Sequence, residues 1–200
     1  MKRPKDSGSN APRELITPEL VDRCKAGDEA AWAELVEATH REVYTLCLRI
    51  LRDPDDAAEA TQDAYLKAWR ALKGFRGEAM FTTWLYRVAA NTAISKHRSR
   101  KRRRTHETGV GDELLGQIAA SGSTESTAGA RIEVRDLERA LAVLPDHYRS
   151  AVVLRDVYGF SIEEVAGQLK ISETAAKVRV HRGRKKLKEM MYPDGTREEV

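Results

Sequence analysis

From Asp28 onward, Trp32, Leu35, Val36, Val43, Leu46, Cys47, Ile50 and Leu51 recur at intervals of three and four, the period of a long amphipathic helix. Just before it, Thr17-Pro18-Glu19 supplies an N-cap, a first-turn proline and an acidic first turn, and Gly27 a stop, so a short helix is predicted there. Asp53-Pro54 opens a third helix that runs to about Leu72 and stops before Gly74. After the loop GFRGEAM a fourth begins near Thr82 and continues through Trp84, Leu85, Val88, Ala89 and Ile94 into a run of basic residues. Four helices with no strand pattern predict an all-α bundle for this half.

The periodicity then lapses. Residues 105–130 carry GVGDELLGQIAASGSTESTAG, small and polar with few large apolar side chains, which predicts a linker. As a random coil its 26 residues would span about 28 Å, so such a tether cannot itself fix the distance between flanking domains. Helical spacing resumes from Arg131 with Val134, Leu137, Leu141 and Leu144, ends at Pro145, and returns around Tyr148, Val152 and Leu154. Ser161-Ile-Glu-Glu164 is a capping box opening a short helix, and Ser172 can cap a long final one. A short helix, a tight turn and a long basic helix make a helix-turn-helix. The expected fold is therefore all-α, two helical domains on a flexible linker: a disordered lead at 1–16, domains at 17–104 and 131–190, the linker at 105–130 and a tail at 191–200.

Charge sharpens this division. The 200-residue chain has a formal net charge of +4, yet Lys96–Arg104 holds seven Lys/Arg in nine residues and Lys177–Lys188 seven in twelve. Removing those fourteen from the 35 basic residues leaves 21 against 31 acids. An acidic body with two concentrated basic stretches suits two separate footprints on nucleic acid. Cys24 and Cys47, the only two cysteines, form no CxxC and are expected in helix packing together with His40, not in a disulfide or a metal site. With no apolar leader and no membrane-length apolar run, the chain is expected to be cytoplasmic.

On a helical wheel of the final segment, Ala176, Val180, Gly183 and Leu187 share the core-facing stripe. Lys177, Val178, His181, Arg182 and Lys185 then point outward, where Arg182 can bond guanine bidentately and Val178 can meet a thymine methyl. Arg179, Arg184 and Lys186 lie on the flanks, suited to phosphate contacts. A solvated basic face is the alternative; the capped helix and turn before it favour DNA reading.

Three collinear segments carry a family resemblance: DPDDAAEATQDAYLKAWRAL, ALKGFRGEAMFTTWLYRVAANTAISKHRSR and LPDHYRSAVVLRDVYGFSIEEVAGQLKISETAAKVRVHRGRKKL. With them the chain resembles an extracytoplasmic-function (group 4) RNA polymerase sigma factor of the sigma-70 family over about residues 18–190. The resemblance implies a factor, not an enzyme, that binds core RNA polymerase, reads the promoter −10 and −35 elements and assists DNA opening. It also implies control by an anti-sigma factor, and neither a cofactor nor a small-molecule substrate. Carried over by motif, core binding falls to Asp56, Glu59, Gln62 and Asp63. The −10 element falls to Phe75, Arg76, Gly77, Glu78, Ala79 and Met80 in the loop and to Val88, Asn91 and Arg98 on the following helix. The −35 element falls to Lys177, Val178, Arg179, His181, Arg182 and Lys185.

A flipped base must regain its lost stacking in a pocket, and Phe75 is expected to stack while Asn91 offers both donor and acceptor. Trp84, which begins an apolar stripe, is expected to anchor the core. The sequence departs from the family at Ala60-Thr61, where an apolar pair is usual, and at Thr174-Ala175-Ala176, where Gly-Thr-Val is common. On the residues alone, a two-domain helix-turn-helix regulator, a nucleic-acid-processing enzyme and a helical adaptor are the rival readings; no Gly-rich phosphate loop or nucleophile–histidine pair supports the enzyme.

Overall fold

A computed structural model describes the backbone of residues 16–108 and 128–192, and the side chains of 16–103 and 134–192. The expected lead up to residue 15, the linker from 109 to 127 and the tail from 193 lie outside the described residues. The N-terminal half contains α1 (Pro18–Lys25), α2 (Glu29–Leu51), α3 (Pro54–Ala71), a 3₁₀ turn (Leu72–Gly74) and α4 (Phe81–Thr108). The C-terminal half contains α5 (Ala128–Val143), α6 (Asp146–Val152), a π-helical turn (Val153–Val157), α7 (Ile162–Leu169) and α8 (Glu173–Met191). No strand occurs among the described residues.

Side-chain caps close the helix starts. Thr17 Oγ1 accepts from Leu20 N at 3.3 Å, Asp28 from Ala31 N at 3.0 Å and Asp53 from Asp56 N at 2.9 Å, satisfying amide donors that a helix start leaves without a partner. Ser161 and Glu164 bond each other's backbone N–H at 3.1 and 2.7 Å, completing the capping box of α7. Helix extends into both ends of the segment expected as a linker: α4 continues to Thr108 and α5 already begins at Ala128.

Small residues set the spacing of the first bundle. Ala57, Ala60, Ala64 and Ala68 form the buried stripe of α3 and let α2 and α4 approach closely, around Leu35, Val43, Leu46, Ile50, Leu72 and Leu85. The departure at Ala60-Thr61 costs no buried hydrogen bond, because Thr61 Oγ1 donates back to Ala57 O at 2.7 Å. Tyr65 places its phenol 2.7 Å from buried Thr39 Oγ1, which in turn lies 2.7 Å from Leu35 O.

Cys24 and Cys47 are both buried and free. Burial pushes the Cys47 thiol up to about 11, outweighing the opposing hydrogen bond with Thr61. At pH 8 the thiol therefore stays protonated as well as shielded, and a thiol-reactive dye should label the folded chain slowly and take up two equivalents only after denaturation. Fast labelling of the folded chain would mean that the α1–α2 or α2–α3 packing opens.

Candidate nucleic-acid interface

The last helix presents the face its sequence predicts. Ala176, Val180, Gly183 and Leu187 are buried, whereas Lys177, Val178, His181, Arg182 and Lys185 are exposed and Arg179 is half-buried. Ser172 caps α8 through Ala175 N at 3.2 Å, and Lys170, left-handed at φ 51°, ends α7 and turns the chain into it. Exposed cations along one side with an apolar Val178 among them can hold phosphates and touch base edges. Arg184, expected to contact phosphate, is turned aside. Its guanidinium grips Asp156 of the π-helical turn, with Nε 2.9 Å from the carboxylate, which ties α8 to the segment behind it.

The second predicted cluster surrounds the start of α4. Asn91 is exposed one turn beyond half-buried Val88, and Met80 is 52% exposed at the loop's end. Arg76 and Glu78 form a loose exposed pair at 3.9 Å, separated by Gly77, whose φ of 76° is a conformation that favours glycine. Ala79 is half-buried. Phe75 is already stacked within the protein. Its ring meets Phe81 edge-on at 5.5 Å and Trp84 at 5.3 Å, while Lys25 Nζ lies 5.4 Å over it. Trp84 is half-buried in the same cluster, as expected for an anchor.

The acidic residues of α3 separate into two groups. Asp56 and Glu59 turn toward the basic run: Lys96 Nζ lies 2.7 Å from Glu59 and 3.4 Å from Asp56, and Arg100 bonds both Asp53 and Asp56. Burial pushes the Asp56 carboxyl up, but the hydrogen bonds from Arg100 and Lys96 outweigh it and hold it below the ordinary carboxylate range. Gln62 lies instead on a shallow groove of about 680 Å³ between α2 and α3, lined by Trp32, Val36, His40, Tyr65, Leu66 and Trp69, and Asp63 is half-buried beside it in sequence. Trp32 packs on Trp69 at 4.9 Å, and Leu66 is 54% exposed. This groove had a signal in the sequence: Gln62, Leu66 and Trp69 follow helical spacing outside the Ala57–Ala68 stripe.

Among the described residues no group of three His, Cys, Asp or Glu side chains gathers as a metal site, and no helix is long and apolar enough to cross a membrane.

Known proteins share these regions. Residues 35–103 match the family described as Sigma-70 region 2, and residues 135–187 the family described as Sigma-70, region 4. The ECF RNA polymerase sigma factor SigW of Bacillus subtilis is 30% identical over 89% of this chain and 98% of its own. The ECF RNA polymerase sigma-E factor of Escherichia coli K12 is 31% identical over 90% of this chain and 96% of its own. Two solved structures share the fold: RpoE in complex with the anti-sigma factor NepR from Bartonella quintana (TM-score 0.57, 24% identity, 80% of this chain and 95% of that one) and CnrH in complex with the cytosolic domain of CnrY (TM-score 0.55, 23% identity, 93% and 100%).

Proposed function

The chain belongs to the extracytoplasmic-function group of the sigma-70 family and directs RNA polymerase to promoters, and from that premise we propose how its surfaces divide the work. The unit at 17–104 binds core polymerase and reads the −10 element; the unit at 131–190 reads the −35 element. The observation that carries this division is the outward stripe of α8, Lys177, Val178, His181, Arg182 and Lys185, at the end of the segment that matches region 4.

Arg182 reads guanine, Lys177, His181 and Lys185 flank it, Val178 meets a methyl group, and half-buried Arg179 steadies the backbone. On α4, Asn91 reads the edge of an extruded base and Arg98 follows the strand, with Val88 below them. The loop from Arg76 to Met80 closes over that base, and Phe75 supports the loop from within its aromatic cluster. Gln62 and Asp63, with Leu66 and Trp69 of the adjoining groove, dock core polymerase, while Asp56 and Glu59 act through the basic run they hold. The protein works without catalytic chemistry of its own, in the cytoplasm with polymerase, and answers to an anti-sigma factor, as the NepR and CnrY complexes of its structural relatives suggest.

Run-off transcription from randomised promoters by the reconstituted holoenzyme tests the assignment. Arg182→Ala should lower −35 discrimination and Asn91→Ala −10 discrimination, each by about 1–3 kcal/mol. Unchanged selection by either variant overturns that residue's role, and absence of promoter-specific transcripts from the wild-type holoenzyme overturns the whole division.

A further inference from the structure

Helix α8 crosses α6 at Gly183, where a Cβ would stand 3.4 Å from both the Cβ and the carbonyl oxygen of Tyr148. Arg179 stands four residues before that crossing and Lys186 three after it, on the same side of α8. The start of α6 therefore meets α8 between two of its cations. His147, the second residue of α6, is exposed there, and the Tyr148 ring, with its centroid 4.0 Å away, covers part of the imidazole.

These surroundings disfavour a positive charge on His147. Partial burial weighs most and Arg179 next; Asp146 opposes them, Lys101 of α4 and Lys186 add to them, and the imidazole is held below its ordinary value of 6.5. Asp146 is itself engaged by His97 of α4 at 3.2 Å and by Arg149 at 2.5 Å, so its charge is already shared.

Two other cations of α8 have acids of their own: Arg184 is gripped by Asp156, and Lys185 Nζ lies 3.9 Å from Glu189. Among the described residues no acid pairs with Arg179 or Lys186. Such groups repel one another until an anion arrives, and a phosphodiester, with its two free oxygens, can accept from all three. Position decides where that phosphate comes from. Arg179, Arg182 and Lys186 follow i, i+3, i+7 spacing, so the pair borders the reading face on the side of Arg182. A major groove holding α8 presents its wall of backbone phosphates at that edge.

We infer that the backbone of the −35 element seats a phosphate between His147, Arg179 and Lys186, and that this contact takes up a proton from solvent onto His147. Engagement of the −35 element is then coupled to pH through a residue outside the recognition helix. This rests on the assignment of α8 as the −35 reader. The free chain binds the proton weakly and the DNA-bound chain more strongly, so affinity is highest at low pH and falls as the pH rises from below 6.5 through the bound value.

Binding of a fluorescent duplex to the reconstituted holoenzyme tests it. The duplex carries a −35 sequence from promoters the holoenzyme selects and ends upstream of the −10 element, so that no strand opening enters the affinity. His147→Gln keeps a donor but not the charge, and the other histidines, common to both proteins, cancel in the comparison. Between pH 8 and pH 6 wild type should tighten at least about 5-fold more than this variant. At pH 6 its log K should also fall more steeply with log salt, by about 0.9 in slope, the mark of one more neutralised phosphate that a change in packing alone does not leave. His147→Arg, charged throughout, should bind about 5-fold more tightly than His147→Gln even at pH 8. Equal pH responses in wild type and His147→Gln, or His147→Arg no tighter than His147→Gln at pH 8, overturn the proton uptake while selection of the −35 duplex over a scrambled one stands. A wild-type holoenzyme that binds the scrambled duplex equally well removes α8 as the reader, and the phosphate site with it.

Discussion

Arg149→Ala is expected to destabilise the folded chain by about 3–5 kcal/mol, read from the urea midpoint followed by helical dichroism. The guanidinium is fully enclosed and serves carbonyls of α2 and of the turn after α5 together with Asp146, so alanine leaves Arg49 O, Ile50 O and Leu144 O without that donor. Arg149→Lys should recover the smaller part of the loss, because one ammonium cannot reach all of these acceptors as a planar fork does. Within about 1 kcal/mol of wild type, Arg149→Ala would show that water replaces the guanidinium and that the junction of the halves needs no cation.

The pH dependence of that variant has a definite sign. His97 first, and Arg149 after it, hold the Asp146 carboxyl well below its ordinary value of 3.8 despite opposing burial. The folded chain therefore binds this proton more weakly than the unfolded chain does. The stability so gained is present above about pH 4 and drains away as the pH falls through the folded value. Removing Arg149 moves the folded value back toward 3.8, so the gap in stability between wild type and Arg149→Ala should narrow as the pH is lowered from 7 to below 4.

Arg149 also marks where the sequence stops being legible. The caps at Thr17, Asp28, Asp53, Ser161 and Ser172, and the inward stripe of α8, follow from interactions within four residues or from one helical period, and the structure has them where the pattern puts them. An arginine four residues after Pro145 reads as an ordinary surface charge, because the acceptors it finds on α2 are backbone carbonyls about a hundred positions away and carry no side-chain signature. The packing of Phe75 is hidden for a related reason. Stacking capacity is visible in the residue type, but the Phe81 and Trp84 rings that already use it are brought near by the loop's path. The end of α4 is hard to read for a different reason: nothing in Lys101–Thr108 breaks a helix before Gly109, whereas polarity alone suggests an earlier stop.

Those longer helices bear on how far the halves can separate. With α4 ending at Thr108 and α5 starting at Ala128, 19 residues remain between them, which reach at most about 63–68 Å. Elements centred near −10 and −35 lie some 25 base pairs apart, about 85 Å at roughly 3.4 Å per pair, so the bodies of the two domains must supply the rest of the span. On the proposed division of the surfaces, 19 residues cannot set that spacing, and core polymerase is the scaffold expected to hold both readers at their distance.

The place of α8, the proposed −35 reader, depends on a close helix crossing, and Gly183→Val is expected to break it. A Cβ at Gly183 would lie 2.5 Å from Val152 Cγ2 and 3.4 Å from both Tyr148 Cβ and the Tyr148 carbonyl. Val152 is β-branched and buried, with few rotamers to retreat into. Alanine at this position gains about 1 kcal/mol of helix propensity but incurs overpacking of about 1–3 kcal/mol, so Gly183→Ala should fall between neutral and about 2 kcal/mol destabilising. Valine adds two more carbons to the same collision and should cost more than about 3 kcal/mol, displacing α8 from α6. Because Arg182 precedes the crossing residue, that displacement would move its guanidinium away from the base edge proposed for it, and on that assignment −35 selection should fail together with stability. Pairing Gly183→Ala with Val152→Ala isolates the cause: relief of the collision should appear as favourable coupling of about 1 kcal/mol in a double-mutant cycle. If Gly183→Val instead keeps wild-type stability and −35 selection, the recognition helix is held by its contacts with α5 and α7, and the close approach to α6 is incidental.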